Sequence, residues 1–193
     1  GGLSIYNSKV KINNSKFLNS ISEDSLNIVR SEFEIKNSKF DSIGSDAIDI
    51  DFSKGLISSS TFNNVQNDAV DLSGSTVNIS NLRISNINDK AISAGERTVL
   101  NAKGIQISNS FIGIASKDLS NVKATDIEIV DGIYCLTAYK KKNEYGPGFI
   151  SIETNNLSCE KPFLLENGSE INLKEEIINP NTKDVFSLLY GNE

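Results

Sequence analysis

The side chains best placed to do chemistry in this chain are aspartates that alternate with aliphatic residues. Asp49 and Asp51 straddle Ile50, and Asp71 and Ser73 straddle Leu72. In a strand, successive side chains point to opposite faces, so inward Ile48, Ile50, Val70 and Leu72 require outward Asp49, Asp51, Asp71 and Ser73. The same rows continue through Ser93 and Gly95, Ala115 and Lys117, then Thr137 and Tyr139. On adjacent rungs about 4.8 Å apart, Asp49 and Asp71 would perturb each other's ionisation or share a calcium ion. With Lys117 or Tyr139 as the proton-abstracting group, Asp49, Asp71, Lys117 and Tyr139 form the catalytic set of a calcium-assisted lyase. As a bare carboxylate pair, that spacing lies at the short end for a glycosidase.

Binding is the competing use of this face. Asp51, Ser73 and Ser93 supply hydrogen-bonding groups along the rows. The segment Lys140 to Gly148, the largest break in the sequence pattern, adds Lys140, Lys141 and Tyr145, which suit an anionic glycan through charge and ring stacking. The chain has no His to serve as a base and few Arg near these acids. A solvated acidic face that keeps a repetitive protein soluble has the same sequence signature.

What must position these residues is a repeat. Phe40, Phe62 and Ile84 are spaced 22 residues apart, and Ile35, Ile57 and Ile79 and then Ile43, Val65 and Ile87 move with them. One added residue near Gly95 to Thr98 carries the columns to Ala102 and Ile107, and then to Ala124 and Ile129. Stepping back reaches Ile12 and Phe17. Stepping forward past the break reaches Ile152 and Leu157, then Leu173 and Ile178. Pairs two residues apart, such as Phe33 and Ile35 or Val77 and Ile79, are a strand period and not a helical one. Three short strands per repeat predict an all-β, single-stranded parallel β-helix of about seven or eight coils, roughly 22 residues each and about 35 Å long. The solenoid domain is expected over residues 1–178, with 179–193 as a C-terminal cap or the start of a linker. Asn14, Asn37, Ser59 and Asn81, and Asn19, Ser42, Asn64, Asn86, Asn109 and Asp131, are expected to hold corners, since Asn tolerates tight-turn dihedrals.

Composition narrows the function. At net charge -6 the chain exerts no general pull on nucleic acid. No stretch approaches the roughly 20 apolar residues of a bilayer span, so no membrane insertion is expected, and no secretory leader is read at the start. Cys135 and Cys159 are too few to read as a disulfide scaffold or a structural metal site. Cys135 follows the column Ala47, Ala69, Ala91 and Gly113, read here as outward and small.

The recurring Asn-Ser-Lys-Phe and Ile-x-Asn patterns, as in Asn37-Ser38-Lys39-Phe40 and Ile79-Ser80-Asn81, resemble the repeats of right-handed parallel β-helix proteins of the pectate-lyase-like superfamily. The resemblance implies right-handed coils, in keeping with the usual chirality of parallel connections. That scaffold carries lyases, hydrolases, epimerases and noncatalytic surface modules, and no catalytic signature of one family is matched here. The expected function is a noncatalytic surface or carbohydrate-associated module binding an acidic glycan. The alternative is a lyase, hydrolase or epimerase acting on an acidic polysaccharide. Calcium is the one cofactor considered. A polysaccharide or cell-surface glycan and neighbouring domains of a longer protein are the expected partners, at an extracellular or cell-surface location.

Overall fold

Segments this short do not hold as isolated strands; here each is held by the rungs on either side. The computed structural model describes residues 1–191 and is a parallel β-solenoid of about eight turns. The first coil contains β1 (Leu3–Tyr6), β2 (Lys9–Asn13) and β3 (Lys16–Leu18), and the second β4 (Asp24–Val29), β5 (Glu32–Lys36) and β6 (Lys39–Ile43). The third holds β7 (Asp46–Asp51), β8 (Lys54–Ser58) and β9 (Thr61–Val65), and β10 (Val70–Ser73) opens the fourth. Then β11 (Thr76–Gly95), β12 (Val99–Lys117), β13 (Asn121–Tyr139) and β14 (Phe149–Leu165) each continue around corners as one strand, with the register slipping near Ile87 to Lys90 and between Thr125 and Gly132. β15 (Glu170–Leu173), β16 (Glu176–Ile178) and a short helix, α1 (Val185–Tyr190), complete the chain.

The register is the one the period demands. Phe17 pairs with Phe40, Phe40 with Phe62, and Phe62 with Ile84. The column goes on through Ile107, Ile129 and Leu157. Phe17 and Phe40 stack at 4.6 Å between ring centroids, and Phe40 and Phe62 at 4.8 Å, which is the rung spacing itself. Phe40 and Phe62 are buried, and each buried side chain of this size is worth about 1.5–3 kcal/mol.

Three corners per coil turn the chain, each through a residue with positive φ. At one, Asn14, Asn37, Ser59, Asn81, Gly104 and Asp126 have φ between 50° and 67°. Another uses Asn19, Ser42, Asn64, Asn86, Asn109 and Asp131. The third passes through Asn7, Arg30, Phe52 and Gly74. Beside it runs a ladder of buried hydroxyls. Ser31 N donates to Ser53 Oγ, Ser53 N to Ser75 Oγ, Ser75 N to Thr98 Oγ1 and Thr98 N to Ser120 Oγ. Ser53 Oγ donates in turn to the carbonyl of Asp51, so a corner that leaves the sheet ladder stays satisfied.

Two sequence expectations change. The column Ala47, Ala69, Ala91 and Cys135 is wholly buried in the core and does not face out. The chain bends there, so that Ala47 and Ile48, though consecutive, both point inward. Cys135 is joined to Cys159 by a disulfide with Cα atoms 5.6 Å apart. Ile178 also leaves its predicted column. Lys174 and Glu175 reverse the chain with positive φ, and β16 pairs antiparallel with β15, setting Ile178 against Ile171.

The segment after β16 turns back along the side of the stack. Asn181 accepts from Leu165 N at 2.9 Å and donates to Phe163 O at 2.9 Å. Glu166, itself buried, accepts from Val185 N at 3.0 Å. Asp184 caps α1 by accepting from Ser187 N. Val185 then packs against Tyr139 and Leu164, on the outer face of the solenoid.

Candidate functional site

Alternation in β7 and β10 buries Ile48, Ile50, Val70 and Leu72 completely and leaves Asp49, Asp51, Asp71 and Ser73 half-buried on the other side. Parallel register assembles them into rows. Asn27, Asp49, Asp71, Ser93, Ala115, Thr137 and Leu164 follow one another rung by rung. Alongside run Asp51, Ser73 and Gly95, with the pair Lys117 and Tyr139 further on. Asp24 and Asp46 pair at the start of their strands. Asp46 accepts from Asp68 N at 2.8 Å, and Asp68 from Lys90 N at 3.0 Å.

So dense a set of acids is hard to ionise in full. Burial, and then the neighbouring charges of Asp51 and Asp71, push the Asp49 carboxyl up to about 8. Burial and Asp68 push Asp46 up to about 7. Asp51 is raised too, by burial and by Asp71. Near neutrality Asp49 therefore carries its proton and can donate as well as accept, with Asn27 Nδ2 already donating to its Oδ2 at 3.1 Å. Asp71 goes the other way. Burial, the largest single influence, opposes its charge, but the Lys117 ammonium, the Ser93 hydroxyl and the charges of Lys90 and Lys141 together hold the carboxyl below its ordinary range.

Lys117 reaches Asp71 by passing over Gly95. A Cβ on Gly95 would meet Lys117 Cε at 3.5 Å, an ordinary contact, so the lysine stem lies directly over this rung and brings Nζ to 3.9 Å from Asp71 Oδ1. Lys117 is 5% exposed. Lys90, equally enclosed, pairs with Asp68 at 3.4 Å and with Asp89. Burial works against the Lys90 charge, yet Asp68 and Asp89 raise its pKa, while burial outweighs Lys90 and lifts Asp68 to about 6. Tyr139 is 0% exposed and its hydroxyl lies 3.1 Å from that of Tyr190. Burial and Tyr190 raise its pKa well above the usual phenol value.

The insertion at Lys140 to Gly148 is fastened to the same side. Lys141 N and Lys142 N donate to Asp118 Oδ1 at 2.7 and 2.8 Å, and Lys142 Nζ pairs with Glu96. Leu119 N donates to the carbonyls of Gly146 and Pro147. The Tyr145 ring lies beneath Arg97, and Lys141 Nζ lies 5.3 Å from the Tyr190 ring centre. Lys140 and Lys141 remain exposed and Tyr145 partly so.

Of the residues singled out in the sequence, Asp49, Asp51, Asp71, Ser73 and Ser93 do come together, with Lys117 reaching them. Tyr139 adjoins Lys117 but is sealed beneath α1, and Lys140, Lys141 and Tyr145 stand at the rim. Lys90 was legible in the sequence as the replacement of the acid in the Asp46 and Asp68 column, and the structure pairs it with Asp68; Tyr190, which lies beyond the repeat, was not. Among the described residues, no three or more His, Cys, Asp or Glu side chains are grouped to hold a metal ion. No described helix is long and apolar enough to cross a membrane.

Neither a family model nor a curated protein matches the sequence. Among solved structures, that of QnrB1, a plasmid-mediated fluoroquinolone resistance protein, is similar at 12% identity over 67% of this chain and 83% of that chain, with a TM-score of 0.18. A likeness at that score carries no argument, so the assignment as a parallel β-solenoid stands on the strand registers.

Proposed function

We propose that this chain is a noncatalytic carbohydrate-associated surface module, a right-handed β-helix akin to the pectate-lyase-like superfamily, that holds an acidic glycan along its outer aspartate rows. The observation that carries this reading is the contrast in exposure along one face. Asp49, Asp51, Asp71 and Ser73 are partly open to solvent, whereas Lys117 and Tyr139, the two groups that would have to take a proton, are 5% and 0% exposed. Protonated Asp46 and Asp49 reduce repulsion toward an anionic sugar and supply donors to its oxygens. Lys140, Lys141 and Tyr145 at the rim offer charge and a ring face. Calcium would displace the Asp49 proton, and Asp49 and Asp71 would then share the ion with the glycan in place of that donor role. A disulfide in the core suits an oxidising, extracellular setting.

The enzymatic reading, a lyase, hydrolase or epimerase on an acidic polysaccharide, draws its support from the 3.9 Å approach of Lys117 to Asp71. Titration of polyuronate and sulfated oligosaccharides, with calcium varied and products assayed in the same samples, separates the two. Binding without product, weakened several-fold by Asp49→Ala or by shortening the insertion, is expected. Turnover abolished by Lys117→Met would overturn the noncatalytic reading.

A further inference from the structure

Four buried side-chain atoms among the described residues make no hydrogen bond of good geometry, and three of them lie in one row: Asp71 Oδ1, Ser93 Oγ and Thr137 Oγ1; the Ser93 hydroxyl, on the rung next to Asp71, helps keep that carboxyl ionised, and Thr137 has no such neighbour. Ser93 and Thr137 are 0% exposed. Lys117, beside them, comes no nearer than 3.9 Å to its carboxylate partner, beyond hydrogen-bond reach. Buried polar groups are ordinarily satisfied, and a row of orphans calls for a cause.

The covering element supplies one. Thr137 is followed in the row by Leu164, which packs on Val185 of α1. Lys90 and Lys141 flank the Tyr190 ring at 5.6 and 5.3 Å. The root of this segment is tied by Asn181 and Glu166, but its tip is held mainly by Tyr190, and Phe186 and Leu188 are exposed at 42% and 60%. Closing it thus leaves hydroxyls dry that water or a ligand would otherwise satisfy, which weakens the closed form.

We propose that residues 179–190 are a gating strap that occludes the far end of the binding row, and that its release extends the exposed row from Asp49 and Asp71 to Ser93 and Thr137, with Lys90 and Lys117 as flanking cations, for a longer hydroxyl-rich chain. The ligand part rests on the glycan reading above, while the gate itself does not. Opening lets water or a ligand reach the hydroxyls of the row and takes the Tyr190 ring off the Lys90 ammonium, which keeps its partners Asp68 and Asp89.

The test is lysine labelling of the intact protein with acetic anhydride, read by mass spectrometry, in wild type, Tyr190→Phe and Tyr190→Ala. Lys90 and Lys117 should label at least about 10-fold faster in Tyr190→Ala, with Tyr190→Phe in between, while exposed Lys54 labels at an unchanged rate. Amide exchange of wild type provides a second reading that needs no variant: residues 186–190 should exchange at least about 100-fold faster than 105–107 in β12. Strap amides as slow as those of β12, or Lys90 and Lys117 labelling unchanged in Tyr190→Ala, would overturn the gate. With the gate established, affinity for a polyuronate dodecamer should rise at least about fivefold in Tyr190→Ala and that for a tetramer should not. Equal affinities in wild type and variant would overturn the extension of the binding row while leaving the strap in place.

Discussion

The coils from Leu3 to Gly95 and the chain beyond Tyr139 show two ways to stabilise the same solenoid. In the first region every rung repeats its neighbour at 22 or 23 residues, phenyl rings and isoleucines stack in columns, and hydroxyl and amide ladders satisfy the corners. In the second the repeat breaks at the insertion, the stack closes by an antiparallel turn, and a disulfide and a strap supplement the shortened columns. Repetition is enough where each coil is covered on both sides. The C-terminal end, with a rung on one side only, is closed by a crosslink and covering chain, whereas the first coil rests on repetition alone and leaves Leu3, Tyr6 and Leu18 exposed.

The largest effect should come from breaking a column. Phe62→Ala removes a ring sandwiched between Phe40 and Ile84 and should cost about 3–5 kcal/mol in denaturant unfolding. Removing the disulfide by Cys135→Ala with Cys159→Ala should cost about 3 kcal/mol for the 24-residue separation. Faster amide exchange should then centre on β13 and β14 and spare β5 to β9, because solenoid stability is local. Equal acceleration along the whole stack would contradict the division between the two regions.

A smaller effect concerns pH. Asp46 and Asp49 hold their protons in the folded state up to about 7 and about 8, from an ordinary value of 3.8. Between these limits the native state binds more protons than the unfolded chain, so stability is greatest below pH 4 for these two groups and falls as pH rises through 8. Allowing for solvent screening of half-buried groups, the loss should be about 1–2 kcal/mol. Asp71, held below its ordinary range, contributes in the opposite sense and loses its stabilisation as pH falls through its depressed pKa. Thermal melts of wild type from pH 5 to 9 should decline, and Asp46→Asn with Asp49→Asn should flatten the slope. Smallest of all, Ser53→Ala should cost about 1 kcal/mol by deleting one hydroxyl rung.

The regular region was the legible one. Columns of Phe and Ile at fixed spacing give the registers directly, and Asn-rich corners announce themselves because Asn is at home at positive φ. The third corner was hidden, since Asn7, Arg30, Phe52 and Gly74 share no chemistry and the serine ladder beside them does the holding. The outer rows also followed from alternation. Burial on those rows did not, because Lys117 folds back over Gly95 toward Asp71 and Tyr139 is covered by the returning α1. The reversal at Lys174 and the pairing of Cys135 with Cys159 depend on where the stack ends, which a repeat cannot encode.

The assembly of Asp49 and Asp71 into a row is the premise of both the function and the gate, and a crosslinking measurement tests it directly. Asp49→Cys with Asp71→Cys places thiols on adjacent rungs, about 4.8 Å apart and within disulfide reach. Asp49→Cys with Ser93→Cys places them two rungs apart, near 10 Å and out of reach. Under mild oxidation, peptide mapping should find the first pair bridged and the second free beside an intact native disulfide. Bridging of the second pair in preference to the first would contradict the row, and with it the account of how this face binds.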